Sequence, residues 1–301
     1  MQILRHVNNS KAVDDMAHRL RPYFGHGAPP EKKDPKAPVA ILIGGTMALE
    51  WFAPIYYWVL TRLFHDAFLI PIQGMGLLSV DTATALVTTQ IEKLRTSGVV
   101  GVNQKVVLIG HSQGGLIAAK IASRDPLVSR VVAVSAPFKG TPMAELKHPG
   151  KIMAYLATRI PGGDLVGSAV SVIPAIHLLK PLLEFNLMPG SSIDDMAPNS
   201  DFLIELAELL PELAGRLATV SFVPDQLVPL ESSLLPGAAN YVCCSREDAE
   251  RLHRAGIHFH WVPIAHRLLG GHIIGHMTGL ALNNHRLADL LAITFSHSLE
   301  D

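Results

Sequence analysis

Charge is scarce in this 301-residue sequence. Asp, Glu, Lys and Arg make up 17% of it, and the formal net charge is −1. No basic block is present, which excludes nucleic acid as an expected partner. Cysteine is scarcer still: Cys243 and Cys244 are the only two, and they are adjacent. Vicinal cysteines rarely bridge each other, so a disulfide framework is excluded. Two free thiols in a buried strand are expected, consistent with a reducing compartment. Long unbroken apolar runs are also missing. Leu165–Leu183 comes nearest, but Pro174, His177, Lys180 and Pro181 interrupt it, so a membrane-spanning helix is not expected. Residues Met1 to Arg21 show no apolar core of a secretory signal. A cytoplasmic location is the expectation, with contact at a membrane surface left open. What the sequence has in quantity is apolar residues: 49% of the chain, with mean hydropathy +0.28. That is greasy for a chain expected to be soluble and suggests an apolar pocket or membrane-facing surface beyond the ordinary core.

The run Val106-Val107-Leu108-Ile109-Gly110-His111-Ser112-Gln113-Gly114-Gly115 carries the strongest signal. It reads as a buried strand ending at Ile109, a G-x-S-x-G turn, and a helix from Leu116 to Ala122. A serine on such a turn holds its hydroxyl at the carboxyl edge of a parallel sheet. The glycines two before and two after it leave room for a turn too tight for a Cβ, and the serine itself is expected to be strained. The helix behind it points its N-terminal amides at the site, favouring a developing negative charge.

Around this turn the chain alternates. Val39–Ile43, Ala67–Pro71, Val106–Ile109 and Arg130–Ser135 are expected strands; Trp51–Phe64 and Thr82–Leu94 are expected helices. Strands apolar on both faces, alternating with helices, predict a mostly parallel central sheet flanked by helices, with right-handed crossovers. The length suits one sizeable α/β domain. The alternation breaks in residues 141–215, a mostly helical, apolar, proline-punctuated insertion, and resumes at Leu217–Val223 and Asn240–Cys244, with a last helix at Arg286–Phe295. The expected organisation is residues 1–37, a helix (Lys11–Leu20) and a linker (Pro29–Pro38); residues 38–140 and 216–301, the core; and residues 141–215, a helical cap or lid.

Five places, in order, resemble the α/β-hydrolase superfamily of the bacterial lipase and esterase type. They are Leu42-Ile43-Gly44-Gly45-Thr46, Gly110 to Gly115, Ser135-Ala136-Pro137-Phe138-Lys139-Gly140-Thr141-Pro142, Pro224-Asp225-Gln226-Leu227-Val228-Pro229, and Gly275-His276. The match runs from about Val39 to the C-terminus. The first core strand departs from the family's usual His-Gly, ending in Gly-Gly-Thr as some lipases do. The resemblance implies an α/β-hydrolase fold and a triad in the chain order serine, acid, histidine.

On that order Ser112 is the expected nucleophile and Asp225, after an apolar strand, the expected acid. A turn-capping aspartate would look the same. Asp194, Asp195 and Asp201 read better as helix caps. The base is expected at His276, nearest the terminal helix, with His272 the alternative. Two backbone amides must face the oxyanion. Gln113 follows the nucleophile and is expected to give one; Thr46 is expected to give the other, and by resemblance its hydroxyl adds a third donor. His258 and His260 would share a strand face, and His272 and His276 a helix face, but no cysteine or carboxylate cluster completes a metal set. Neither metal nor cofactor is expected. The insertion's aliphatic side chains, among them Leu165, Leu178 and Leu182, are as expected of an acyl pocket or lid as of plain core.

The expected activity is hydrolysis of carboxylic esters with apolar acyl chains, from lipid or other ester substrates, through an acyl-enzyme. Acyl transfer or thioester cleavage through the same intermediate is the alternative within enzymes. A non-catalytic lipid- or partner-binding member of the same fold is the alternative outside them.

Overall fold

The computed structural model describes residues 4–5, 37–46, 64–70, 72, 78–145, 191–225 and 227–263. Its strands are β1 (Leu4–Arg5), β2 (Val39–Ile43), β3 (Ala67–Ile70), β4 (Val106–His111), β5 (Val128–Val134), β6 (Leu217–Phe222), β7 (Ala239–Cys244) and β8 (His260–Pro263). They form one sheet in the order β1-β3-β2-β4-β5-β6-β7-β8. β1 pairs antiparallel with β3, and the remaining pairings are parallel. The helices are α1 (Val80–Thr96), α2 (Gln113–Ala122), α3 (Pro142–Glu145), α4 (Ser192–Asp195), α5 (Asp201–Leu213), α6 (Leu230–Ser233) and α7 (Arg246–Arg254).

All five residues of β2 are 0% exposed. Side chains alternate between the faces of a strand, so this burial requires cover on both faces, the reason the strands read as continuous apolar runs. α1 buries Val80, Ala83, Thr84, Val87, Ile91 and Leu94 at helical spacing. Its N-terminus is capped twice: Ser79 Oγ accepts from Thr82 N at 3.2 Å, and Asp195 Oδ2 accepts from Val80 N at 2.6 Å. Every residue of α2 is buried, including Lys120. Its ammonium lies 2.5 Å from Asp81 of α1 and 3.1 Å from Glu205 of α5, over the ring of Phe202 at 4.8 Å. α5 lays Phe202, Leu203, Leu206 and Leu213 into the main core.

Several boundaries differ from the sequence expectation. β4 continues past Ile109 because β5 runs alongside it, pairing Gly110 with Ala133 and His111 with Val134. β5 starts earlier and ends at Val134, and α1 extends one turn's worth beyond Thr82–Leu94. α7 was not anticipated, and the strand expected at His258 and His260 starts later, as β8. β8 begins at His260, so His258 precedes the strand and the two do not share a strand face. Neither Cys243 nor Cys244 is in a disulfide, and both are buried in β7, as expected. The expected helices at Lys11–Leu20 and Arg286–Phe295, all but the last residue of Trp51–Phe64, most of Pro29–Pro38, and most of the insertion lie outside the described residues. So do Leu165, Leu178, Leu182, His272 and His276.

The start of the insertion folds back against a later point within it. Thr141 N donates to Met196 O at 2.9 Å. Gly140 adopts φ +89°, and a Cβ there would come 2.6 Å from Pro198 N, so only glycine fits. Among the described residues, no helix is long and apolar enough to cross a membrane.

Candidate active site

Ser112 is the single residue between β4 and α2, with φ 54° and ψ −124°. A side chain rarely adopts positive φ, and such strain, of order 1–3 kcal/mol, persists only where the surroundings over-determine it. They do here. Ser112 N donates to Val134 O at 2.8 Å, and Gly115 N donates to Ser112 O at 2.9 Å. A Cβ at Gly110 would lie 2.2 Å from Gly114 O, and one at Gly114 would lie 2.3 Å from Ile43 O. Strand and helix therefore meet backbone to backbone. His111 and Gln113 on either side are buried while Ser112 is only half-buried, so the turn lifts the serine out of the core. The amides of Gln113 and Gly114, at the start of α2, lack an acceptor within the helix and lie at its positive end.

The loop after β2 closes over the serine. A Cβ on Gly45 would come 2.8 Å from Ser112 Cβ and 3.0 Å from His111 O. Thr46 follows, and its hydroxyl donates to Gln113 Oε1 at 2.8 Å. The two residues expected to form the oxyanion hole are thus joined through their side chains. Gln113 is 0% exposed, and its Nε2 has no hydrogen-bond partner among the described residues.

Asp225 follows β6, which is two strands from β4 and so about 10 Å away. Its Oδ1 accepts from Leu227 N and Val228 N, both at 2.9 Å, which fixes the plane of the carboxylate. The loop is tied to the neck of the insertion: Thr141 Oγ1 donates to Leu227 O, and Ser232 Oγ donates to Gly140 O at 2.5 Å. The structure therefore brings Ser112, Thr46 and Gln113 together and sets Asp225 at the same carboxyl edge of the sheet.

Two features had no reading in the sequence, and a third, Asp195, was expected as a helix cap without α1 being foreseen as the helix it caps. Ser135, at the end of β5 between the strands of Ser112 and Asp225, also has positive φ (47°). It is 1% exposed, and its hydroxyl has no hydrogen-bond partner among the described residues. Lys120 was visible only as a lone charge in the apolar run Leu116–Ala122. Asp195 caps α1 across a long sequence separation. Burial, joined by the charges of Asp81 and Asp194, holds its carboxyl above the usual range, against the Val80 hydrogen bond and Lys120. Away from the site, burial pushes the Cys244 thiol up to about 11, assisted by Asp248. That thiol is inert at neutral pH.

A mostly parallel sheet, crossed by helices and carrying a strained serine at a strand-to-helix turn, defines an α/β protein of hydrolase architecture. The chain belongs to the α/β hydrolase family, whose model matches residues 24–289. No curated protein matches it by sequence. Solved structures similar to it include a lipase of Bacillus licheniformis in mature form (14% identity, 71% of this chain and 86% of that one, TM-score 0.45). A lipase-esterase related protein of Clostridium acetobutylicum is also similar (16%, 87% and 96%, TM-score 0.48). So is a 2-hydroxy-6-oxo-6-phenylhexa-2,4-dienoate hydrolase of a Rhodococcus species (14%, 74% and 91%, TM-score 0.46).

Proposed function

We propose that this protein is a serine hydrolase of carboxylic esters with apolar acyl chains. The strained, half-buried Ser112, with the Gly45-Thr46 loop against it, carries the reading. Ser112 Oγ attacks the ester carbonyl while its proton passes to an imidazole, assigned to His276 with His272 the alternative. Asp225 holds the imidazole tautomer and stabilises the imidazolium. The carbonyl oxygen takes the negative charge, facing the backbone amides of Gln113 and Thr46. The C–O bond to the alcohol then breaks as the imidazolium protonates the leaving oxygen. Water, deprotonated by the same imidazole, releases the acid from the acyl-enzyme. This chemistry needs no cofactor.

Of the insertion, residues 141–215, α5 packs into the main core; the part that precedes α4 is proposed as a cap whose Leu165, Leu178 and Leu182 line the acyl pocket. Each buried CH₂ is worth about 0.8 kcal/mol, so turnover should rise with acyl length until the pocket is full. The test is a fluorophosphonate probe together with a series of p-nitrophenyl esters. Ser112 should be labelled, and Ser112→Ala should lose activity by several orders of magnitude. Octanoate should exceed acetate in kcat/KM. Labelling at another residue removes the serine assignment, and equal efficiency for acetate and decanoate removes the apolar-acyl assignment.

A further inference from the structure

We infer that the Gln113 side chain, and not only its backbone amide, serves the site by deciding where the Thr46 hydroxyl proton points. This rests on the serine-hydrolase reading above. As the site stands, Thr46 Oγ1 donates to Gln113 Oε1 at 2.8 Å. A hydroxyl has one proton, so in this arrangement it is engaged and unavailable to an oxyanion. At the other end of the same amide, Nε2 is buried and has no partner among the described residues. A buried N–H left unmade costs about 1–3 kcal/mol.

A half-turn about χ3 of Gln113, a soft two-fold torsion, exchanges the ends of the amide. Nε2 then donates to Thr46 Oγ1, so the link between the two residues is kept. The Thr46 proton is released, and a carbonyl oxygen occupies the unpartnered place, a smaller deficit than an orphaned N–H. Gly45, immediately before Thr46, lies against Ser112, so the nearest new acceptor is the oxygen that becomes negative during attack. The released hydroxyl gives it a charge-assisted hydrogen bond. The proton stays on Thr46 throughout, and no bond other than hydrogen bonds changes. Thr46 touches the reacting oxygen; Gln113 is a positioning residue acting through it.

The amide itself reports the switch. In ¹H–¹⁵N spectra of the full chain, one Gln113 Nε2 proton should move downfield when a phosphonate ester modifies Ser112, and this shift should vanish in Thr46→Val. Thr46→Val should lower kcat about 100-fold with KM nearly unchanged, and Thr46→Ser should restore it. Gln113→Leu should lower kcat by a smaller factor and add nothing in the Thr46→Val background. An adduct on Ser112 that leaves the Gln113 amide signals unmoved overturns the inference and spares the hydrolase reading. Additive losses in the double variant overturn it too. Failure of the phosphonate to modify Ser112 overturns the hydrolase reading itself.

Discussion

Gly45 and Ser112 are in contact across the carboxyl edge of the sheet, so closely that a single added methyl group has no place. A Cβ on the glycine would meet Ser112 Cβ at 2.8 Å and the His111 backbone oxygen at 3.0 Å. The first loop of the core thereby sets the height at which the serine stands.

Gly45→Ala should damage activity more than stability. Overpacking costs about 1–3 kcal/mol, which a core of this size tolerates. On the proposed mechanism, however, the forced shift of the loop displaces the Thr46 amide from the oxyanion it is to face. Thermal melting and p-nitrophenyl butyrate kinetics on the same preparation check this: the expected pattern is a small fall in Tm with a fall in kcat of at least about tenfold. Unchanged kcat would mean the loop does not serve the reaction.

At Ser112 itself the usual ranking of alanine and glycine should reverse. With φ at 54°, glycine relieves a strain that alanine keeps. Ser112→Gly should be more stable than Ser112→Ala by about 1 kcal/mol, while both are inactive. Urea denaturation compares them. A more stable alanine variant would show that the turn is not strained.

His276→Ala should lose activity as completely as Ser112→Ala, and His272→Ala much less, because triad members act as a unit. Single-turnover acylation by a p-nitrophenyl ester separates the two. The reverse pattern would move the base to His272 and leave the mechanism standing.

Lys120 should show an asymmetry between its own removal and that of its partners. Its side chain is 1% exposed, whereas Asp81 and Glu205 are 59% and 52% exposed. In Lys120→Met the carboxylates return to water. In Asp81→Asn with Glu205→Gln an ammonium is left buried and unpaired, a situation that costs about 3–5 kcal/mol in closed interiors. The double variant should therefore unfold at lower urea than Lys120→Met. Equal midpoints would show that the pairs contribute little.

The raised pKa of Asp195 gives a pH dependence of known sign. Folding favours its protonated form, so its contribution to stability is full below the unfolded value of 3.8 and is lost as pH rises through the higher folded value. Asp195→Asn keeps an oxygen to accept from Val80 N and never charges. The variant should match the wild type in strong acid, gain on it as pH rises from 3.8 through the titration of the folded carboxyl, and keep that gain at higher pH, measured as ΔTm. A gap independent of pH would contradict the shift.

Much of this site was legible before any coordinates, for local reasons. β2 and the first four residues of β4 are continuous apolar runs because they are buried on both faces. The Ser112 turn is legible because Gly110 and Gly114 must approach backbone within one short stretch. What was not legible is non-local. The Thr46–Gln113 bond joins residues 67 apart, and Asp195 meets Val80 across 115; neither leaves a pattern in sequence. α7 is short and buries only Ala249 and Leu252, too thin a stripe to stand out beside its charges, though Ser245 and Asp248 mark its start. β8 is four residues long with its Trp261 38% exposed, and such an edge strand has little apolar signature. The base is the hardest case: six histidines fall between residues 258 and 285, and proximity to the terminal helix alone ranks them.

The contact of Thr141 and Gly140 with residues 196–198 bears on how this scaffold can change. With Thr141 bonded to Met196 and Gly140 seated on Pro198, the chain leaves the core and returns to it through one closed neck. Closing a flexible loop costs only about 0.6 kcal/mol more for each doubling of its length, so the core is nearly indifferent to how much chain lies beyond the neck. Thr141 and Ser232 fasten that neck to the Asp225 loop, so the neck is the part that must be preserved. Selection, or an engineer, can therefore exchange the stretch beyond it as a module while Ser112 and Asp225 keep their places.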